Sequence, residues 1–209
     1  MSEALILYTN PMSRGRMARW ALEEIGQPYE TILLAYGPPM KSPEFLAVNP
    51  MGKVPVLTHG EEVVTETGAI IAYLADSFPQ AKLAPPPGDP LRGRYLRWMF
   101  FAAGPLEEST SAKGFGWELP RDMGRRSGYG SMDAVLTAIE AAIAPGPFIL
   151  GEQFSAVDIY MGSKIAWSMR GGMLEKRPSF EAYLGRILSR PAAIRANEID
   201  NALAKAPGA

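Results

Sequence analysis

The chain has 209 residues, which suits one large domain or two modest ones, and 47% of them are hydrophobic, ample for a packed core; it has no cysteine and one histidine. A net charge of −1 argues against a nucleic-acid footprint, and no run of 18 apolar residues occurs, so no membrane span is expected. Without cysteine there is no disulfide, no thiolate metal site and no thiol nucleophile, and His59 beside Gly60 reads as a turn residue, so no metal is expected and the reactive group must come largely from a substrate or cofactor.

The opening MSEALILYTNP lacks a basic start and a small-residue cleavage site, which makes a cytoplasmic location the expectation. Ala4 to Thr9 is a short apolar run ended by Asn10-Pro11 and predicts a buried strand. A helix follows from about Ser13 to Ile25. Met17, Trp20, Ala21 and Ile25 form its apolar face, Arg16, Arg19 and Glu23 form the wet face, and Gly26 ends it. Tyr29 to Leu34 alternates as a second strand, and Pro43 to Ala47 suits one helical turn. Val54 to Thr58 and Glu62 to Val64 flank His59-Gly60-Glu61 as a hairpin, and Thr67 to Asp76 is helical again. That order predicts a small mixed sheet with helices packed on it.

Between Phe78 and Pro90, five of 13 residues are proline, which makes the segment stiff and extended, a linker over residues 79–90 between domains at 1–78 and 91–209. Beyond it every pattern is helical, with apolar stripes on Leu91, Tyr95 and Trp98, on Met132 to Ile143, on Val157, Met161 and Ile165, and on Phe180 to Ile187. Pro191 opens a last helix, and Lys113 to Gly130 interrupts the series with five glycines and Trp117.

Four motifs fall in order along this framework. They are Tyr8-Thr9-Asn10-Pro11-Met12-Ser13-Arg14-Gly15-Arg16 with Arg19-Trp20-Ala21-Leu22, then Asn49-Pro50-Met51-Gly52-Lys53-Val54-Pro55-Val56-Leu57, then Glu66-Thr67-Gly68-Ala69-Ile70, and finally Phe154-Ser155-Ala156-Val157-Asp158-Ile159. Together they resemble the cytosolic glutathione transferases, in a bacterial-type, serine-type form. The resemblance implies an α/β N-terminal thioredoxin-like domain that binds glutathione and an all-α C-terminal helical domain. It also implies a homodimer and transfer of the glutathione thiolate to a small hydrophobic electrophile.

The same resemblance implies roles. Val54, ahead of a cis bond to Pro55, would pair its backbone with the cysteinyl part of glutathione; taken alone, the dipeptide reads as an edge-strand proline. Glu66 and Thr67 stand at a helix start, where free N–H groups and a hydroxyl can receive the γ-glutamyl carboxylate; an ordinary cap satisfies the same pattern. Lys53 and Lys41 would face the glycyl carboxylate or the peptide, and Arg14 would add positive field at the sulfur.

Ser13, at the start of the first helix, is the first catalytic candidate. Lowering a thiol pKa from about 8.5 by ~2 units takes about 2.7 kcal/mol. A hydrogen bond to a charged group supplies about 1.5–3 kcal/mol and a helix terminus about 0.3–1. No general base is needed. The rival is Tyr8, since tyrosine-type members take the hydroxyl from the end of the first strand; an ungapped match through Arg19-Trp20 leaves the RGR segment displaced by two residues in that alignment. A serine that only caps its helix is the third alternative.

The resemblance places the electrophile between the domains, with Met12, Phe100, Phe101 and Trp117 as candidate lining residues. Ser155 to Asp158 reads as a capping box that starts a helix. A non-catalytic binding or protein-interaction module on the same fold is the alternative function.

Overall fold

The computed structural model describes residues 3–205, the side chain of Arg121 excepted. They divide into two compact units: the chain up to Lys82 together with the segment from Arg190 onward, and Leu83–Ser189.

The first unit is built on a four-stranded sheet of order β2-β1-β3-β4, with β1 at Leu5–Thr9, β2 at Glu30–Leu33, β3 at Val56–His59 and β4 at Glu62–Thr65. β1 and β2 are parallel, so a crossover must join them, and α1 (Gly15–Ile25) supplies it. β3 runs antiparallel to β4, as the hairpin signature predicts, and it also pairs antiparallel with β1. Leu5, Leu7 and Thr9 are buried on one side of β1. On the other, Tyr8 packs on a cluster of Met40, Phe45 and Val56, with Phe45 supplied by α2 (Pro43–Val48). Gly26 closes α1 in the left-handed conformation expected of a terminating glycine. α3 (Thr67–Ser77) buries Ile70, Ile71 and Leu74.

The last helix, α9 (Pro191–Leu203), differs from expectation. Residues 91–209 group as one helical domain on sequence pattern, yet α9 belongs to the first unit, where it packs on α1. Its contact explains a second difference. Arg19, expected on the wet face of α1, is 1% exposed, because its Nε donates to Asp200 of α9 at 2.9 Å. Arg190 on Glu24 and Arg195 on Glu23 fasten the same two helices.

The second unit is helical: α4 (Leu91–Phe101), α5 (Glu107–Gly114), α6 (Met132–Ile143), α7 (Ala156–Arg170) and α8 (Pro178–Leu188). Between α4 and α5 the chain widens to a π-helical turn at Ala102–Leu106, which contains Pro105, a residue with no amide proton to offer. At the start of α7 the capping box forms as expected. Asp158 accepts from the backbone N–H and the hydroxyl of Ser155, and also from Ile149 N–H and the Tyr183 hydroxyl, each of these last two at 2.9 Å. No described helix is long and apolar enough to cross a membrane.

Candidate functional site

Strand register gathers the three N-terminal motifs at one end of the sheet. Tyr8 stands opposite Val56, so the segment after Thr9 lies beside the approach to β3 at Val54-Pro55. Val56 in turn stands opposite Thr65, which brings Glu66 and Thr67 alongside.

Each of the first two motifs is held by an asparagine that precedes a proline. Asn10 accepts from Met12 N–H at 2.9 Å and donates to Leu34 O at 2.9 Å. Asn49 does the same, accepting from Met51 N–H at 3.1 Å and donating to Lys53 O at 2.8 Å. These side chains fold the two Asn-Pro-Met turns and leave Met12 and Met51 exposed. Neither asparagine was singled out from the sequence, although the repeated Asn-Pro-Met at 10–12 and 49–51 is a visible signal.

The first turn carries Ser13, which is buried. Its hydroxyl donates to Asn10 O at 2.7 Å and accepts from Gly15 N–H at 2.9 Å. Gly15 is required by space, because a Cβ there would sit 1.8 Å from Thr9 Oγ1 and 3.0 Å from Ser13 Oγ. Arg14 follows on the surface at the helix cap. Tyr8 lies on the other side of the strand, its ring 6.0 Å from that of Phe45, and its hydroxyl has no partner among the described residues.

The second turn presents Val54. The Val54–Pro55 bond is cis, as expected, and neither the N–H nor the C=O of Val54 has a backbone partner among the described residues. Lys53 is exposed. The Lys41 ammonium donates to Met51 O at 3.0 Å and Gly52 O at 3.3 Å, and so ties down the turn. Gly52, at φ +57°, allows that closeness, since a Cβ would meet Met40 O at 2.5 Å.

Ser42 caps α2 and Ser131 caps α6 through their hydroxyls, whereas α1, α4, α8 and α9 have no side-chain cap. The start of α3 also lacks one, and it is set apart by its N-cap residue, Glu66, at positive φ. Its N-terminal N–H groups at Thr67, Gly68 and Ala69 find no backbone acceptor outside the helix among the described residues. Thr67 is buried there, and Glu66 adopts φ 65°, ψ 119°. A non-glycine residue held in that region costs about 1–3 kcal/mol, a strain that clusters at ligand sites. An uncapped helix start with a buried hydroxyl is chemically a receptor for a carboxylate.

The four residues expected to line an electrophile site are divided between the units. Met12 is in the first unit and is exposed. In the second unit Phe100 is exposed, Phe101 packs edge-on against Trp98 at 5.1 Å, and the exposed Trp117 lies against Phe115 at 4.9 Å with the rings tilted by 38°. Among the described residues no cluster of His, Asp and Glu could hold a metal ion.

A mixed four-stranded sheet with a cis-proline turn, joined to a helical unit, defines the glutathione-transferase fold. Residues 3–76 match the family model described as glutathione S-transferase, N-terminal domain, and residues 122–186 match the C-terminal domain model. The chain belongs to the glutathione S-transferase family. It is 27% identical over 150 residues to glutathione S-transferase GstA of Escherichia coli O157:H7, covering 71% of this chain and 74% of that protein. Among solved structures, a glutathione transferase of Methylococcus capsulatus str. Bath superposes with a TM-score of 0.78 at 28% identity, over 95% of this chain and 100% of the other. A homologue from Sulfitobacter with bound glutathione gives 0.75 at 26% identity, over 94% and 98%.

Proposed function

We propose that the protein is a serine-type glutathione transferase of the bacterial type, which binds glutathione at the end of the sheet and holds its sulfur as a thiolate for attack on a small hydrophobic electrophile. The observation that carries this is the uncapped start of α3 beside the unpaired backbone of Val54 and the hydroxyl turn of Ser13. Each offers what one part of the tripeptide lacks. The N–H groups at Thr67 receive the γ-glutamyl carboxylate, with Glu66 near its ammonium. Val54 pairs in strand fashion with the cysteinyl backbone. Lys53, exposed nearby, suits the glycyl carboxylate, while Lys41 supports the turn and Arg14 contributes field.

Ser13 then acts by exchanging acceptors. Its hydroxyl now serves Asn10 O, a neutral partner worth about 0.5–1.5 kcal/mol, and a thiolate in its place is worth about 1.5–3. The N–H of Gly15, donating to the same oxygen, polarises the hydroxyl toward giving its proton's bond to the sulfur. No base is needed, because the thiol proton leaves to solvent once the anion is favoured. Met12, Phe100, Phe101 and Trp117 remain candidate contacts for the electrophile, and we propose a homodimer working in the cytoplasm without a metal.

One observation favours a second reading. The Ser13 hydroxyl is already engaged on both sides within its turn, which is also what a purely structural serine does. A non-catalytic glutathione-binding module would keep that arrangement. Calorimetric titration with glutathione, followed by turnover of a nitroaromatic halide, separates the two. Binding with turnover that falls at least about tenfold in Ser13→Ala supports the enzyme. Binding without turnover supports the module.

A further inference from the structure

Arg16 joins the Ser13 turn to the C-terminal helix through a single side chain. Its Nε donates to Pro11 O at 2.5 Å, inside the turn, and its Nη1 donates to Asn201 Oδ1 at 2.9 Å near the end of α9. The two bonds leave by different nitrogens of a rigid plane, so the guanidinium is fixed at both ends. Among the described residues no other donor reaches the Pro11 carbonyl. The far end is itself immobilised. Asp200, next to Asn201, holds buried Arg19, and Arg190 and Arg195 grip Glu24 and Glu23 further along.

We propose that Arg16 is a positioning residue for thiol activation, a strut by which α9 fixes the turn that carries the Ser13 hydroxyl. The inference rests on the assignment of that turn to the glutathione sulfur. Its consequence is specific: loss of the strut displaces the hydroxyl but leaves the α3 start and Val54 untouched. Turnover therefore falls while affinity for glutathione holds. It also makes the end of the chain, far from the sulfur in sequence, a determinant of activity.

The test compares wild type with Arg16→Gln, Asn201→Ala and Asn201→Asp. Amide hydrogen exchange at Met12 and Ser13 is followed without ligand, and kcat and the glutathione KM are measured with a nitroaromatic halide. Arg16→Gln is expected to exchange about tenfold faster and to lose about tenfold in kcat, with KM within about twofold. Asn201→Ala is expected to move both readouts in the same direction by less, and Asn201→Asp, which keeps the acceptor, to match wild type. The inference is overturned if Arg16→Gln exchanges and turns over like wild type, if its loss falls on KM, or if Asn201→Asp behaves as Asn201→Ala. Should Arg16→Gln fail to fold, the two Asn201 variants decide. A wild-type protein without turnover overturns the functional reading and this inference together, whereas normal turnover with an unmoved Arg16→Gln overturns the inference alone.

Discussion

Arg19 on the first helix and Asp200 on the last meet at 2.9 Å, with side chains 1% and 0% exposed. Arg19 also donates to the Tyr29 hydroxyl at 3.0 Å and to Thr31 at 3.2 Å. The pair is nevertheless incompletely satisfied: Arg19 Nη2 and Asp200 Oδ2 have no hydrogen-bond partner among the described residues. Burial raises the Asp200 pKa, and the neighbouring guanidinium only partly offsets it.

Removing one member of such a pair leaves a buried charge alone, at a cost of about 3–5 kcal/mol. Asp200→Leu and Arg19→Met are each expected to lower unfolding free energy by about that much in urea titration. The double variant Arg19→Met/Asp200→Leu is expected to lose less than either single one, because no unpaired charge remains. Additive losses would mean that the pair contributes no coupling.

Gly15→Ala is expected to destabilise the protein by about 1–3 kcal/mol, since its methyl group falls on Thr9 Oγ1 in a fully buried setting. Thr9→Ala in the same chain removes the obstructing oxygen and is expected to recover part of the loss. Thermal unfolding of the two single variants and the double variant measures this. No recovery would place the strain elsewhere in the turn.

Asp158 gives a pH signature in the second unit. Burial raises its pKa above the ordinary 3.8, while the four hydrogen bonds it accepts pull the other way. For a carboxyl with a raised folded-state pKa, the protonated form is favoured on folding. Its contribution is therefore fully present below the unfolded value and is lost as pH rises through the folded one. Asp158→Asn cannot titrate. The stability of wild type relative to Asp158→Asn is expected to increase as pH is lowered from neutral through the raised pKa toward 3.8. A difference that shrinks on acidification would mean that the hydrogen bonds outweigh burial. At pH 7 the substitution is expected to cost about 2–4 kcal/mol, because its NH2 meets donors that the carboxylate accepted.

Much of this was legible in the residues. Apolar spacing located α1, α3 and α6 to α8 within a residue or two at most boundaries, and Ser155 to Asp158 announced its cap through short-range chemistry. What stayed hidden was long-range. Nothing near Arg19 in the sequence signals that a helix starting 172 residues later, at Pro191, covers it, so the residue read as solvated. The hold of Lys41 on the second turn was hidden likewise, because a lysine's partner depends on the path of a turn ten residues away. Glu66 and Thr67 were legible as a helix start, but whether that start is capped or left open depends on backbone angles that composition does not report.

The most direct measurement is the acidity of the glutathione thiol in its complex with the protein, followed by thiolate ultraviolet absorbance across pH. Bound sulfur is expected to ionise about 2 pKa units below free glutathione, with most of that shift lost in Ser13→Ala and retained in Tyr8→Phe. A wild-type complex with an unshifted thiol, or a shift that survives Ser13→Ala and vanishes in Tyr8→Phe, would contradict activation by the Ser13 hydroxyl.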